Sequence, residues 1–256
     1  MRLTVLGCSG SMPGPTSPAS SYLVEAGTTR VVLDLGSGSM IKLQDKIGFE
    51  ALDTLDAVLI SHLHPDHYID LCAYYVALRY GMGRDYRRVP VWGPDGTAER
   101  LARAYGERPE PDPVMSAEFE FHTLPGPPTP RFTVGDISVE VTHVVHPITA
   151  YAFRLEHDGR SIVYSGDTGP CAALVELARG ADLMLCEAAF QDHPNPPPNL
   201  HLTGEEAGEH GARAGVARMV ITHVPPWGDP ERAVAGARAT FDGPVVAASV
   251  GATWDI

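Results

Sequence analysis

Cysteine is scarce: Cys8, Cys72, Cys171 and Cys186 stand far apart and form no CxxC pair. That pattern excludes a disulfide framework or a thiolate zinc knuckle and points to isolated thiols in a reducing compartment. Basic side chains are also few, 19 Lys and Arg against 32 Asp and Glu, for a formal net charge of −13. Such a surface repels nucleic acid unless positive charge is concentrated locally. The one concentration, Arg79 with Arg84, Arg87 and Arg88, is short and reads as a solvated helix end. No apolar run approaches the length of a membrane span, and no charged and apolar leader precedes Cys8. The expectation is a cytoplasmic protein without membrane contact.

What is present is ordinary for a globular chain: 256 residues, 44% hydrophobic and 20% charged. Residues 1–256 read as a single domain, with no short-period repeat. The Pro-rich stretch 106–130 reads as surface elaboration and not as a linker. Apolar strands are expected at 3–6, 22–25 with 30–35 as a hairpin, 57–60, 89–92, 119–122, 137–145, 150–155, 161–164, 182–186, 219–222 and 245–249. Helical spacing predicts helices over 39–46, 68–80 and 96–105, after Pro170, and from a Thr203/Glu206 capping box to 214. Strands and helices interspersed in both halves fit an α/β fold of two packed sheets flanked by helices. Within 68–80, Tyr74, Tyr75 and Tyr80 at helical spacing read as core, with a homodimer face as the alternative. The Gly/Ser/Pro stretch 7–15 could present backbone N–H groups to an anion. It lacks a Walker lysine, and a plain connecting loop is the better reading.

The informative stretch is Ser61-His62-Leu63-His64-Pro65-Asp66-His67, leaving the apolar run 57–60. Four imidazole and carboxylate groups within six positions at a strand end suit Zn²⁺, with Mn²⁺ or Fe²⁺ admitted. One short loop does not supply every ligand such chemistry needs, so distant residues must complete it. His146, Asp167 and His223 each follow an apolar strand, and strand ends on one side of a sheet converge. His143 competes with His146, and periodicity alone cannot choose between them.

The HxHxDH pattern resembles the metallo-β-lactamase superfamily. That resemblance implies a four-layer αββα sandwich of two mixed sheets. It also implies two divalent metal ions: one at His62, His64 and His146, the other at Asp66, His67 and His223, with Asp167 bridging. The run from His146 through Tyr151 and Phe153 to Arg154 is similar to the ribonuclease Z branch, and it is this resemblance that assigns His146. Cys186-Glu187-Ala188-Ala189-Phe190 and His201-Leu202-Thr203 look like further elements of that branch. They imply a His201 that protonates a leaving alkoxide and a Glu187 that holds its tautomer. His122, His143, His157, His193 and His210 are assigned to surface or structural roles.

Two metal ions can deprotonate a bridging water and neutralise a phosphoryl oxygen. The hydroxide would attack, Asp66 would orient it or take its proton, and His201 would serve the leaving group. The branch grips tRNA with an arm inserted between the third His and the bridging Asp; here only 20 residues separate His146 from Asp167. Extended tRNA binding is therefore not expected. Flanking stretches, among them 5–11, 164–169, 175–180, 201–208 and 222–227, look most like a bacterial cyclic-nucleotide phosphodiesterase of this branch. The resemblance implies hydrolysis of 3′,5′-cyclic AMP to 5′-AMP. A tRNA 3′-processing endoribonuclease is the alternative, and a non-catalytic metal scaffold a more distant one.

Overall fold

A computed structural model describes residues 1–83, 86–106, 114–124, 126, 131–191 and 197–256. Arg84 and Asp85 of the basic stretch, His193, and much of the Pro-rich 106–130 and 192–200 lie outside the described residues. The first half runs β1 (Arg2–Gly7), β2 (Ser21–Ala26), β3 (Thr29–Leu33), α1 (Ser39–Ile47), β4 (Ala57–Leu59), α2 (Pro65–Tyr68), α3 (Leu71–Val76), β5 (Val89–Gly93), α4 (Thr97–Tyr105) and β6 (Phe119–Thr123). The second half continues with β7 (Arg131–Val134), β8 (Ile137–His143), β9 (Tyr151–His157), β10 (Arg160–Tyr164), α5 (Ala172–Leu177) and β11 (Leu183–Glu187). It closes with α6 (Gly204–Ala214), β12 (Met219–Thr222), α7 (Pro230–Arg238), β13 (Val245–Ala247) and β14 (Thr253–Asp255).

The strands form two seven-stranded sheets, ordered β14-β1-β2-β3-β4-β5-β6 and β13-β12-β11-β10-β9-β8-β7. Both are mixed: β3 to β6 and β10 to β13 run parallel, and the remaining neighbours are antiparallel. Nearly continuous apolar runs make this arrangement possible, because both faces of each central strand must be covered. Alternation sorts the side chains: Val31 and Leu33 of β3 join Ile162, Tyr164 and Leu185 between the sheets. Val32 and Val58 face the layer of α1 to α4. Val163, Met184 and Ile221 face the layer of α5 to α7. The result is the expected four-layer αββα sandwich.

Four local differences follow from chemistry that periodicity does not report. The motif does not stay a loop, because Pro65 stands at the first position of α2, where its missing N–H costs nothing. The helix predicted over 68–80 breaks into α2, α3 and a π-helical turn at Ala77–Gly81. Strand β8 stops at His143 rather than 145, since Val144 N–H turns to Ala150 carbonyl. Strands β7 and β14 were not expected; each is four residues or fewer and carries little pattern. Tyr74 and Tyr75 are buried as expected, whereas Tyr80 is 70% exposed. The capping box at Thr203 and Glu206 is present, with both reciprocal hydrogen bonds.

Candidate metal centre

Strand direction brings the candidate residues together. β1, β3 and β4 end on the same side of one sheet, and β8, β10, β11 and β12 on the matching side of the other. The segments leaving β4, β8, β10 and β12 carry His62 to His67, His146, Asp167 and His223. All seven meet in two groups around one carboxylate: His62, His64, His146 and Asp167, and Asp66, His67, Asp167 and His223. His62 Nε2 and His146 Nε2 lie 3.1 and 3.2 Å from His64 Nδ1. Asp167 Oδ2 lies 3.6 Å from His62 Nε2, 3.3 Å from His67 Nε2 and 3.2 Å from His223 Nε2. His143 takes no part and packs against the Tyr151 ring.

Outer hydrogen bonds decide which ring nitrogen faces inward. Asp34 is fully buried just past β3 and accepts from His67 Nδ1 at 2.7 Å, Ser61 Oγ at 2.8 Å, Ser61 N at 2.6 Å and Tyr164 Oη at 2.7 Å. Ser61 has spent its proton on Asp34, so it accepts from His62 Nδ1 at 3.1 Å. His146 Nδ1 donates to Leu200 carbonyl at 3.0 Å. Each of these three rings is thereby left with its Nε2 directed at the cluster, the nitrogen a metal would take. His223 Nδ1 pairs with Ser20 Oγ at 2.8 Å. Two tyrosines bind the sheets beneath: Tyr164 reaches from β10 to Asp34, and Tyr22 from β2 to Thr222 Oγ1 at 2.6 Å.

Among the described residues, His67 Nε2, His223 Nε2 and Asp167 Oδ1 are buried without a hydrogen-bond partner. Three orphaned polar atoms around one point are costly unless a cation satisfies them. Burial opposes protonation of His67, yet the charges of Asp167 and Asp34 raise it well above the ordinary histidine value. Burial also opposes ionisation of Asp66, but the hydrogen bond and charge of His67, then His223, hold its carboxyl low. Burial depresses His62, His64 and His146, the last to about 4. The cluster therefore sets carboxylate charge beside the imidazoles of His62, His64 and His146, which burial keeps neutral, and the residues present fit divalent metal.

Glu187, at the end of β11, is wholly buried and accepts from Thr168 N at 2.9 Å, Ala189 N at 3.0 Å and His201 Nδ1 at 2.9 Å. His201 Nδ1 is also 4.0 Å from Asp167 Oδ2. Asp167, Glu187 and His201 could form a third ion-holding group. With three donors already on it, however, Glu187 acts as a hydrogen-bond acceptor.

Residues 29–224 match the beta-lactamase superfamily domain. The chain belongs to the beta-lactamase superfamily. It is 44% identical over 261 residues to an uncharacterised protein of Mycobacterium leprae, covering 100% of this chain and 89% of the relative. It is 30% identical over 246 residues to ribonuclease Z of Mycobacterium bovis, covering 88% of this chain and 86% of that one. The crystal structure of the metallo-beta-lactamase fold protein YhfI of Bacillus subtilis superposes with a TM-score of 0.85 at 26% identity, over 99% of both chains. As a member of this superfamily, the protein is a metal-dependent hydrolase.

The superfamily motif was legible in the sequence, but Asp34 was not singled out. Its signal was the one used for His146, Asp167 and His223, a ligand-type residue directly after an apolar strand. Tyr22 and Tyr164 gave no such signal, because a hydroxyl inside an apolar run looks like core, and Ser20, in a stretch of small and polar residues, looks like loop.

Proposed function

We propose that the chain hydrolyses a small phosphodiester, 3′,5′-cyclic AMP to 5′-AMP, at this cluster. The carrying observation is the Glu187–His201 pair at 2.9 Å beside Asp167. Divalent ions held by His62, His64 and His146 and by Asp66, His67 and His223, with Asp167 shared, would supply positive charge to the phosphoryl oxygens and acidify water. Burial works against protonation of His201, but the hydrogen bond and charge of Glu187, with the charge of Asp167, raise it above its ordinary value. With Nδ1–H committed to Glu187, the proton on Nε2 is the one available to a departing ribose oxygen. Asp66, held ionised by its histidine neighbours, is a weak base and is suited to orienting the attacking water. An expelled alkoxide needs an acid, whereas a lactam or activated ester needs one far less.

The span between His146 and Asp167 holds only the β9–β10 hairpin, closed at Asp158 and Gly159. A formal net charge of −13 further disfavours a polyanion. The second reading, tRNA 3′-end processing, is favoured by the ribonuclease Z relative. Metal-loaded protein should convert 3′,5′-cyclic AMP to 5′-AMP, with product identified by chromatography. Absence of turnover on every cyclic nucleotide, with cleavage of a 3′-extended precursor tRNA, would give the second reading the field.

A further inference from the structure

We propose that the connection from β1 to β2, residues 8–20, is a clamp on His223. By fixing it, the clamp makes the Asp66, His67 and His223 half of the cluster the half that binds a divalent ion first. In the sequence its Gly/Ser/Pro part, within 7–15, reads as a plain connecting loop. In the fold it is zipped onto the end of β12: His223 N–H donates to Cys8 carbonyl at 3.0 Å, and Gly10 N–H to Val224 carbonyl at 3.1 Å. Ser9 and Val224 pair as a parallel bridge between those two bonds. His223 itself sits at φ 57, a left-handed conformation that a residue with a Cβ rarely adopts. The two flanking bonds hold it there. A Cβ on residue 10 would stand 2.2 Å from His223 carbonyl oxygen, so only glycine allows the approach. Ser20, also fully buried, then orients the ring through its 2.8 Å bond to Nδ1.

The same packing reaches the rest of that half. Gly36 N–H donates to Ser20 carbonyl at 3.0 Å, and Leu35 N–H to His67 carbonyl at 2.7 Å. Gly36 lies so close that a Cβ there would stand 2.0 Å from Asp66 carbonyl oxygen. Asp34 fixes the His67 ring from the interior. Asp66, His67 and His223 are thus locked to one another through buried main chain, with both histidines held by buried side chains.

The other half is built differently. His62 is buried and held by Ser61, but His64 and His146 are only partly buried. His146 depends on a main-chain carbonyl, Leu200, in the loop before α6. For His64 Nε2 there is no hydrogen bond among the described residues. Outer partners of this kind change metal affinity by about 10–100-fold each. Two histidines with buried side-chain partners should therefore outweigh one, and ions should load in that order.

The test rests on the ligand assignment but not on the substrate. Chelator-dialysed full-length protein is titrated calorimetrically with Zn²⁺, and metal content is counted after dialysis. Two binding events are expected, the tighter surviving dialysis as one retained ion per chain. His64→Ala should delete the weaker event and leave the retained ion. Ser20→Ala should weaken the tighter event by about 10–100-fold, and Ser20→Thr, which keeps the hydroxyl, should restore much of it. Thermal melts of the metal-free variants establish that each is folded; His64 is only partly buried, so His64→Ala remains decisive if Ser20→Ala does not fold. Equal affinities in the wild type, or loss of the retained ion in His64→Ala, would overturn the order of loading. Failure of the wild type to bind any ion would sink the ligand assignment and the clamp together.

Discussion

Replacing Asp34 tests whether the floor of the site is built as described. Its Oδ2 accepts three hydrogen bonds, from His67, Ser61 and Tyr164, and its Oδ1 accepts one from Ser61 N–H. Asn is the same shape and tolerates the left-handed backbone, here φ 55. Its carbonyl can keep the Oδ2 position, so its NH₂ must face Ser61 N–H. One donor is then left buried against another donor, at a cost of about 1–3 kcal/mol. Ala removes both acceptor oxygens and leaves the His67 and Tyr164 donors buried and unpaired, for about 3–5 kcal/mol. At about 2–4 °C per kcal/mol for a chain of this size, Asp34→Ala should melt roughly 6–20 °C below wild type and Asp34→Asn between them. The measurement is calorimetric melting of metal-free protein in chelator, so that stability is read apart from ligand binding. Asp34→Ala should also bind Zn²⁺ about 10–100-fold more weakly, because His67 loses the partner that fixes its tautomer, whereas Asp34→Asn, whose carbonyl keeps that bond, should lose less. Melting temperatures for Asp34→Ala and wild type within 2 °C would refute the network.

His201→Ala should slow cyclic AMP hydrolysis by about 10²–10⁴-fold, and bis(p-nitrophenyl) phosphate, with its good leaving group, much less. His201 acts as an acid, so activity on cyclic AMP should be full below its raised pKa and fall as pH rises through it. Glu187→Gln removes the main cause of that rise and should move the alkaline limb to lower pH; an unmoved limb in a pH–rate profile would contradict the pairing. His67 carries a proton that an incoming ion must displace. Zn²⁺ binding should therefore release protons and weaken as pH falls, as read from calorimetry in buffers of different ionisation enthalpy. Tyr74 is fully buried and donates to Leu52 carbonyl, so Tyr74→Ala should cost about 3–5 kcal/mol. By contrast, 70% exposed Tyr80→Ala should stay within about 0.5 kcal/mol in urea unfolding.

Much of this was legible because both sheets bury both faces. Runs such as Val31-Val32-Leu33 and Ile162-Val163-Tyr164 can be little else than central strands, and ligand-type residues at their ends mark one edge of the sandwich. Short edge strands such as β14 carry too few residues to show a pattern. The break after Val76 comes from a π-helical turn, which leaves helical spacing intact in the sequence. Ser20 was illegible for another reason: its partner lies 203 positions away, and only the fold reveals that one serine among several small residues faces an imidazole.

Each of the two ligand groups takes members from both sheets: His62 and His64 with His146, Asp66 and His67 with His223, and Asp167 in both. An ion in either group would therefore be a cross-link between the two halves of the sandwich. All four cysteines are unbonded, so among the described residues no covalent bridge plays that part. The expected metals would work as two adjacent rivets through the stack, resisting any slide of one sheet over the other. Loading them should slow hydrogen exchange in β3 and β10 together, coupling chemistry at the rim to rigidity at the centre.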